Sequence, residues 1–320
     1  MKKIAIVTSG GDAPGMNAAV RAVVRTGIYH GYQVCGIRRG FSGLLNGNPV
    51  INFELGSVAD IIQRGGTFLL TARSPEMYQV ESQVKAAEHL KNEGVDCLVV
   101  IGGEGSFKGA MTLEKQGIQT ICIPGTIDND INGTDQTIGF DTAVNTILDA
   151  INRLRDTATS HERVFLLEVM GRHTGYLALA AGLAGGAESI VVPEIKYDLN
   201  EICNRIMRGI KRDKMHSIII VAEGAANIYE MNEAIKKHIN VETRVTVLGH
   251  IQRGGSPSAV DRLLGSRMGA AAVDWLAEGK SGYFTALYGQ DIVPVSLDSC
   301  FAERKPFPED LYRLALILSR

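Results

Sequence analysis

Short apolar runs alternate with longer amphipathic stretches along nearly the whole chain. Residues 4–8, 33–37, 97–101, 120–123, 164–169, 189–192, 217–222 and 245–248 are brief and mostly β-branched, and Gly, Pro or polar residues bound them. That pattern predicts buried parallel strands. Helical spacing predicts helices over 16–30, 58–63, 81–92, 107–115, 142–156, 259–278 and 311–318. Strand and helix alternate, so the expected fold is α/β with largely parallel sheets and helices on both faces. The length favours two Rossmann-like three-layer α/β/α lobes with the active site in the cleft between them; pattern alone puts the boundary near Gly139. No fixed-period repeat suggests a solenoid.

Composition narrows the class. The 320 residues carry a net charge of −2, which argues against a nucleic-acid partner, since such proteins usually show a basic footprint. No apolar run reaches membrane-spanning length, and residues 4–7 suit a first strand better than a signal peptide. Five cysteines (Cys35, Cys97, Cys122, Cys203, Cys300) are dispersed without a CxxC pair, as expected of reduced structural thiols in a cytoplasmic protein. Glycine, at 36 residues, exceeds the usual share of about 7%. The surplus sits in loops that need close backbone approach.

The chemistry concentrates at predicted strand ends, where open α/β sheets hold ligands. Ser9-Gly10-Gly11-Asp12 and Gly102-Gly103-Glu104-Gly105-Ser106 each follow a strand and precede a helix. Backbone N–H groups there suit an anion, and two such loops on neighbouring strands can clamp a polyphosphate. Neither is a Walker motif or GxGxxG, and a tight βα turn explains the first equally well. Glu104 suits Mg²⁺ or, as plainly, a helix-start carboxylate favoured by the dipole. Pro124-Gly125-Thr126-Ile127-Asp128-Asn129-Asp130 places two carboxylates two residues apart. They suit proton abstraction and a metal shell, with Thr126 as a donor to a moving phosphoryl group, or simply an Asx-rich turn. Arg163, Arg172, Arg244, His250 and Arg253 flank further strands and, gathered at one sheet edge, would hold an anionic group. Glu223 suits sugar hydroxyls or a helix cap, and Arg73 follows a Gly-Gly break. Together these parts fit Mg–polyphosphate, a hydroxyl acceptor and in-line phosphoryl transfer.

The chain resembles the bacterial ATP-dependent 6-phosphofructokinases (phosphofructokinase A family) over nearly its whole length. Residues 8–19, 124–130, 137–143, 155–163, 169–173 and 249–257 carry the likeness as long ungapped motifs in order. The resemblance implies phosphorylation of fructose 6-phosphate at its 1-hydroxyl in a cytoplasmic homotetramer. It implies an ATP-binding lobe of residues 1–138 plus about 252–302, and a sugar-phosphate lobe of 139–251 plus about 303–320. Asp128 would be the base, Asp130 part of the magnesium shell, and Thr126 and Arg172 stabilisers of the transferring group. ATP would meet Gly11, Arg73, Ser74, Gly103, Glu104, Gly105 and Ser106, with Glu104 as the metal residue. The sugar phosphate would meet Thr126, Ile127, Asp128, Met170, Gly171, Arg172, Glu223, His250 and Arg253, with Arg163 and Arg244 reaching in from a neighbouring subunit. An effector site for ADP and phosphoenolpyruvate would use Arg21, Arg25, Arg155, Gly186, Glu188, Arg212, Lys214 and His216.

Pyrophosphate-using members of that family carry an acidic residue at the Gly105 position and lysine at the Gly125 position, so glycine at both favours ATP. A non-catalytic sensor on the same fold is a third reading; the presence of Asp128, Asp130 and Arg172 speaks against it. The chain departs from the family pattern at Glu104, where aspartate is usual, and at Phe41, where tyrosine is frequent. It also departs at Asp213, where a small residue is usual, and at Tyr176, where aspartate is usual. The carboxylate of Asp213 is expected to weaken effector anion binding.

Overall fold

The computed structural model describes residues 2–214 and 216–319. In chain order its elements are β1 (Lys3–Ser9), α1 (Met16–Tyr29), β2 (Gln33–Ile37), α2 (Gly40–Leu45), β3 (Ile51–Phe53), α3 (Val80–Asn92), β4 (Cys97–Gly102), α4 (Glu104–Lys115) and β5 (Gln119–Pro124). There follow α5 (Phe140–His161), β6 (Val164–Val169), α6 (Tyr176–Ala184), β7 (Ser189–Val191), α7 (Leu199–Ile210), β8 (Ser217–Ala222), α8 (Ile228–His238) and β9 (Thr243–Val247). The chain ends with α9 (Ala259–Ala277), β10 (Tyr283–Tyr288), β11 (Asp291–Ser296), α10 (Leu297–Cys300) and α11 (Glu309–Leu318). It divides into two compact units. The first is Met1–Thr142 with Arg253–Lys305, and the second Ala143–Gln252 with Pro306–Arg320.

In the first unit seven strands run in the order β11-β10-β5-β4-β1-β2-β3. β10, β5, β4, β1 and β2 pair in parallel, while β3 and β11 pair antiparallel at the two edges. The parallel strands are apolar on both faces because helices cover both, as β4 shows by being buried at every residue. Phe107 of α4 meets Phe284 of β10 at 5.4 Å between ring centroids within the core that also takes Leu98 and Leu113. Each such side chain contributes about 1.5–3 kcal/mol by leaving water. The register sets Ser9 level with Gly102, and Gly102 level with Pro124. Three chemistry-bearing segments therefore leave the sheet at one edge.

In the second unit β7-β8-β6-β9 form a parallel sheet. Leu166, Ile219 and Val221 pack with Ile206 of α7 and Ile235 of α8 beneath it. Val169 is level with Ala222, and Glu168 with Val247. Side-chain caps start the helices: Asp198 accepts from the Asn200 N–H at 2.8 Å, and Asn227 from Tyr229 at 3.0 Å and Glu230 at 3.3 Å. The five cysteines are free and buried. No helix among the described residues is long and apolar enough to cross a membrane.

Several expectations need correction. Residues 58–63 form no α-helix; a short 3-10 turn ends at Val58, Ala59 is extended and Asp60 is left-handed at φ 54°. The segment is instead pinned by other elements. Asn17 of α1 donates to the Arg64 carbonyl at 3.0 Å and accepts from the Phe68 N–H at 2.7 Å, and Ser256 donates to the Gln63 carbonyl at 2.8 Å. Tertiary hydrogen bonds outweigh the local helical spacing there. Helix α4 starts at Glu104 rather than Phe107, so half of the second glycine motif is a first helical turn. Helix α5 extends beyond both predicted ends. The pattern also passed over α2, α6, α7, α8, α10, β3, β10 and β11.

Candidate active site

At the end of β4 the backbones approach closely. A Cβ on Gly102 would lie 2.5 Å from the Ser9 carbonyl oxygen and 2.5 Å from Ser106 Oγ, so only glycine fits. Gly103 then caps α4, accepting from the N–H groups of Ser106 at 2.9 Å and Phe107 at 3.1 Å. Gly103, Glu104 and Gly105 stay accessible at the positive end of a helix, while Ser106 is buried beneath them. The first glycine segment crosses alongside: Thr71 donates to the Gly10 carbonyl at 2.8 Å, and Thr8 to the Leu70 carbonyl at 2.9 Å. These bonds bring Arg73, exposed, and Ser74, half-buried, to the same end of the sheet.

Glu104 is the first residue of α4. It is half-exposed and pairs with Lys108 at 2.5 Å, one turn on. Lys108 also stands 5.2 Å from the Phe301 ring centroid, and the Glu104 hydrogen bond raises its pKa. Among the described residues no three His, Cys, Asp or Glu side chains form a metal cage.

The third segment is braced from several sides. Gly125 bridges to Ile138, the Thr126 N–H reaches the Ile138 carbonyl at 3.0 Å, and the Ile138 N–H reaches Pro124 at 2.9 Å. Thr137 Oγ1 donates to the Thr126 carbonyl at 2.6 Å, and Asn129 Oδ1 accepts from the Thr137 N–H at 3.0 Å. Asn129 itself is left-handed at φ 52°, a conformation Asn tolerates, and it turns the chain back. Thr126 Oγ1 accepts from the Asp128 N–H at 3.2 Å. Asp128 is only 1% exposed, Ile127 is buried and Asp130 is half-buried. The Cβ that a residue other than glycine would place at 125 would lie 3.0 Å from Met16 Cε and 3.2 Å from Ile101 Cγ2. A larger side chain there would have to displace that packing, whereas at Gly105 the nearest atom is the Tyr78 hydroxyl at 3.9 Å.

In the second unit Met170, Gly171 and Arg172 follow β6. The Arg172 N–H donates to Glu223 Oε1 at 2.8 Å, and the Glu223 N–H to the Val169 carbonyl at 2.9 Å. The Met170 N–H donates to Gln252 Oε1 at 3.1 Å, while Gln252 Nε2 reaches the Gly249 carbonyl at 2.9 Å. Gln252 thus ties the β6 and β9 ends together. It is fully buried, and sequence reasoning passed over it; its place between His250 and Arg253 was the available signal. Arg172, Glu223 and His250 are exposed. Glu168, also passed over, has a raised pKa from burial and from the neighbouring Glu223 carboxylate.

The arginines do not all gather at one edge. Arg163 and Arg244 lie at the amino ends of β6 and β9, and both pair with Glu242. A six-residue strand of about 17 Å separates them from Arg172. The expectation of one arginine-lined edge fails because the two residues sit at the start of parallel strands, not the end. Arg253 belongs to the first unit, where its Nη1 donates to the Asp12 carbonyl at 3.2 Å and covers Gly11.

The effector candidates divide similarly. Glu188 accepts from the Ile218 N–H at 2.6 Å and from Lys214, and Arg155 donates to the carbonyls of Gly185 at 2.5 Å and Gly186 at 3.2 Å. His216 stands 3.5 Å from the Thr159 hydroxyl with its pKa lowered by burial. Arg212 Nε donates to the Arg208 carbonyl at 3.3 Å. Arg21 and Arg25 lie on α1 in the first unit. Of the departures, Phe41 is buried against Gly109 rather than displayed, and Tyr176 donates to the Pro306 carbonyl at 3.1 Å.

The Phosphofructokinase family profile matches residues 3–276. The chain is 57% identical to an ATP-dependent 6-phosphofructokinase of Clostridium tetani and 55% identical to one of Shouchella clausii, each over the full length of both chains. Among solved structures it resembles phosphofructokinase from Saccharomyces cerevisiae with a TM-score of 0.90 and 34% identity, over 99% of this chain and 50% of that one. On the extent of these matches, the chain belongs to the phosphofructokinase family.

Proposed function

We propose that this chain transfers the γ-phosphoryl group of ATP to the 1-hydroxyl of fructose 6-phosphate, with Asp128 as the base. The observation that carries this reading is a nearly fully buried carboxylate on a braced loop, level with two glycine segments at one sheet edge. Burial from water and a fixed loop suit a group that must accept a proton at a set position. The helix-start N–H groups of α4 and the backbone at Gly10 and Gly11 would receive the phosphates, with Arg73 and Ser74 beside them. Thr126 and Arg172 would meet the charge on the transferring group. Glu104 and Asp130 would hold Mg²⁺ through oxygen or water, and when bound the ion would neutralise phosphate charge.

The first unit serves as the nucleotide lobe and the second as the sugar-phosphate lobe, with Met170, Gly171, Arg172, Glu223, His250 and Arg253 as sugar-phosphate ligands. Arg163 and Arg244, remote from Arg172 along β6, act on a neighbouring copy in a cytoplasmic homotetramer. The cluster of Arg155, Gly186, Glu188, Arg212, Lys214 and His216, with Arg21 and Arg25, binds ADP or phosphoenolpyruvate as effector. Packing of Met16 and Ile101 around Gly125 supports ATP over pyrophosphate, because a lysine there would have to displace it.

The test is a coupled assay of fructose 1,6-bisphosphate formation with Mg²⁺, comparing ATP with pyrophosphate and then adding ADP and phosphoenolpyruvate. Turnover with ATP alone is expected. Turnover with pyrophosphate would overturn the donor assignment, and turnover with neither would leave a sensor.

A further inference from the structure

One buried carboxylate lies outside every role assigned so far. Asp261, in the first turn of α9, is fully buried. Its Oδ1 accepts from the Gly139 N–H at 2.8 Å, and its Oδ2 from the Thr142 N–H at 2.8 Å and Thr142 Oγ1 at 2.5 Å. Thr142 Oγ1 in turn accepts from the Ser258 N–H at 2.9 Å, and Ser258 Oγ caps α9 by accepting from the Asp261 N–H at 3.2 Å. Three donors aimed at two oxygens favour the ionised acid, which only accepts. Burial pushes its pKa up to about 6, held from going higher by these bonds, so it is charged at neutral pH. A buried carboxylate costs free energy unless its hydrogen bonds are all made. Here they are made to the turn that leads from residues 137–139 into α5 and to the first turn of that helix.

That turn is the far side of the candidate catalytic loop. Gly139 follows Ile138, which bonds to Pro124 and Thr126 on both sides of the Gly125 bridge. Thr137 holds the Thr126 carbonyl and is itself held by Asn129, one residue beyond Asp128. A continuous run of hydrogen bonds therefore leads from Asp261 through Gly139 and Ile138 to Thr126 and Asp128. The second oxygen of Asp261 holds the first turn of α5 through Thr142. We infer that Asp261 is a positioning residue for phosphoryl transfer, fixing the Thr126–Asp128 loop through the Gly139 N–H. The inference rests on the assignment of Asp128 as base. It adds a residue that touches neither substrate and acts only through the loop.

The two oxygens allow the positioning role to be separated from simple packing. Asp261→Asn has the same shape but turns an amide NH₂ toward a buried N–H on one side, so the turn must shift. Thr142→Ala removes the hydroxyl arm alone and leaves the Gly139 bond in place. Both variants are expected to melt at lower temperature. Only Asp261→Asn is expected to lose kcat, by roughly 10- to 100-fold, because an ångström of misplacement costs about that much. Its KM for ATP and fructose 6-phosphate should stay within about twofold, since the binding groups lie elsewhere. Should the Asn variant be insoluble, Asp261→Ser, which leaves space for a water at the donors, is read in the same way. Equal kcat in the Asp261 variant and Thr142→Ala, or a loss confined to thermal stability, would overturn the inference. Asp128→Ser run alongside keeps the two claims apart. If it turns over normally, the base assignment fails; if it is inactive while the Asp261 variant is normal, only the positioning role fails.

Discussion

The carboxyl edges of the two sheets handle charge in opposite ways. In the first unit the edge presents backbone. Gly102 admits only glycine, the α4 N–H groups face outward, and a deeply buried carboxylate, Asp128, sits on a loop held by at least five hydrogen bonds from residues 124–138. In the second unit the edge presents side chains: Arg172, Glu223 and His250 are exposed, over a buried Gln252 and Met170. A site that must place a proton acceptor to a fraction of an ångström benefits from the first arrangement. A site that recognises a charged sugar phosphate can rely on long side chains that settle around it. The comparison is broken most directly by Asp128→Ser. We expect kcat to fall by about 10²- to 10⁴-fold with sugar-phosphate affinity retained, measured by turnover and by calorimetric titration. Turnover within tenfold of the parent would remove the contrast, since the buried loop would then carry no chemistry.

Glycine substitutions test the backbone half of the comparison. Gly102→Ala would drive a Cβ into Ser106 and the Ser9 carbonyl, at an expected cost of about 1–3 kcal/mol in urea unfolding and a raised KM for ATP. At Gly103 the nearest atom is Thr126 Cβ at 3.8 Å, so Gly103→Ala should unfold close to the parent. Equal costs at the two positions would show that the close approach of β1 and β4 does not decide the geometry of the edge. The side-chain half is tested by Glu223→Gln. The Arg172 N–H keeps an acceptor but loses its charge, and hydrogen bonds to charged groups are worth roughly twice neutral ones. A rise of about three- to tenfold in KM for fructose 6-phosphate with kcat nearly unchanged is expected; a loss of kcat with KM fixed would place Glu223 in the chemical step instead.

What was legible beforehand follows the same division. The strands β1, β4, β5, β6 and β8 stood out because parallel strands covered on both faces leave unbroken apolar runs. The glycine motifs and the 124–130 segment stood out because they interrupt those runs abruptly. Helices α7 and α8 were missed although Asp198 and Asn227 cap them and their apolar residues recur at helical spacing. Strands β10 and β11 were missed because they form an antiparallel hairpin at a sheet edge and alternate rather than run apolar throughout. Side-chain partners set by distant sequence were out of reach: Gln252 to Met170, Asp261 to Gly139, and Glu242 to both Arg163 and Arg244. Tyr176 shows the same limit. It looked like a departure at the site, but its ring lies 6.2 Å from Phe307, which lies 6.0 Å from Tyr312, so it packs the C-terminal segment onto α6.

Asp213 carries the smallest expected effect and a test of a different kind. It follows α7 in the left-handed conformation at φ 59°, where its N–H reaches the Ile210 carbonyl at 3.0 Å and the Lys214 N–H reaches Gly209 at 3.0 Å. That is the usual glycine position of a helix end, and aspartate there costs a fraction of a kcal/mol. The turn also aims Lys214 at Glu188, so the Asp213 carboxylate adds a negative charge one residue from a cation of the proposed effector cluster. Asp213→Gly relieves both at once, and the two consequences are separable. Thermal unfolding should show a gain of about 0.5 kcal/mol whether or not an effector binds. If the carboxylate also opposes an anion, ADP or phosphoenolpyruvate should act at lower concentration in the variant, with a salt dependence stronger than the parent's, because only attraction is left to screen. A gain in stability with effector response unchanged would assign Asp213 to the helix end alone, leaving the effector cluster to act through Arg155, Glu188 and Lys214 without it.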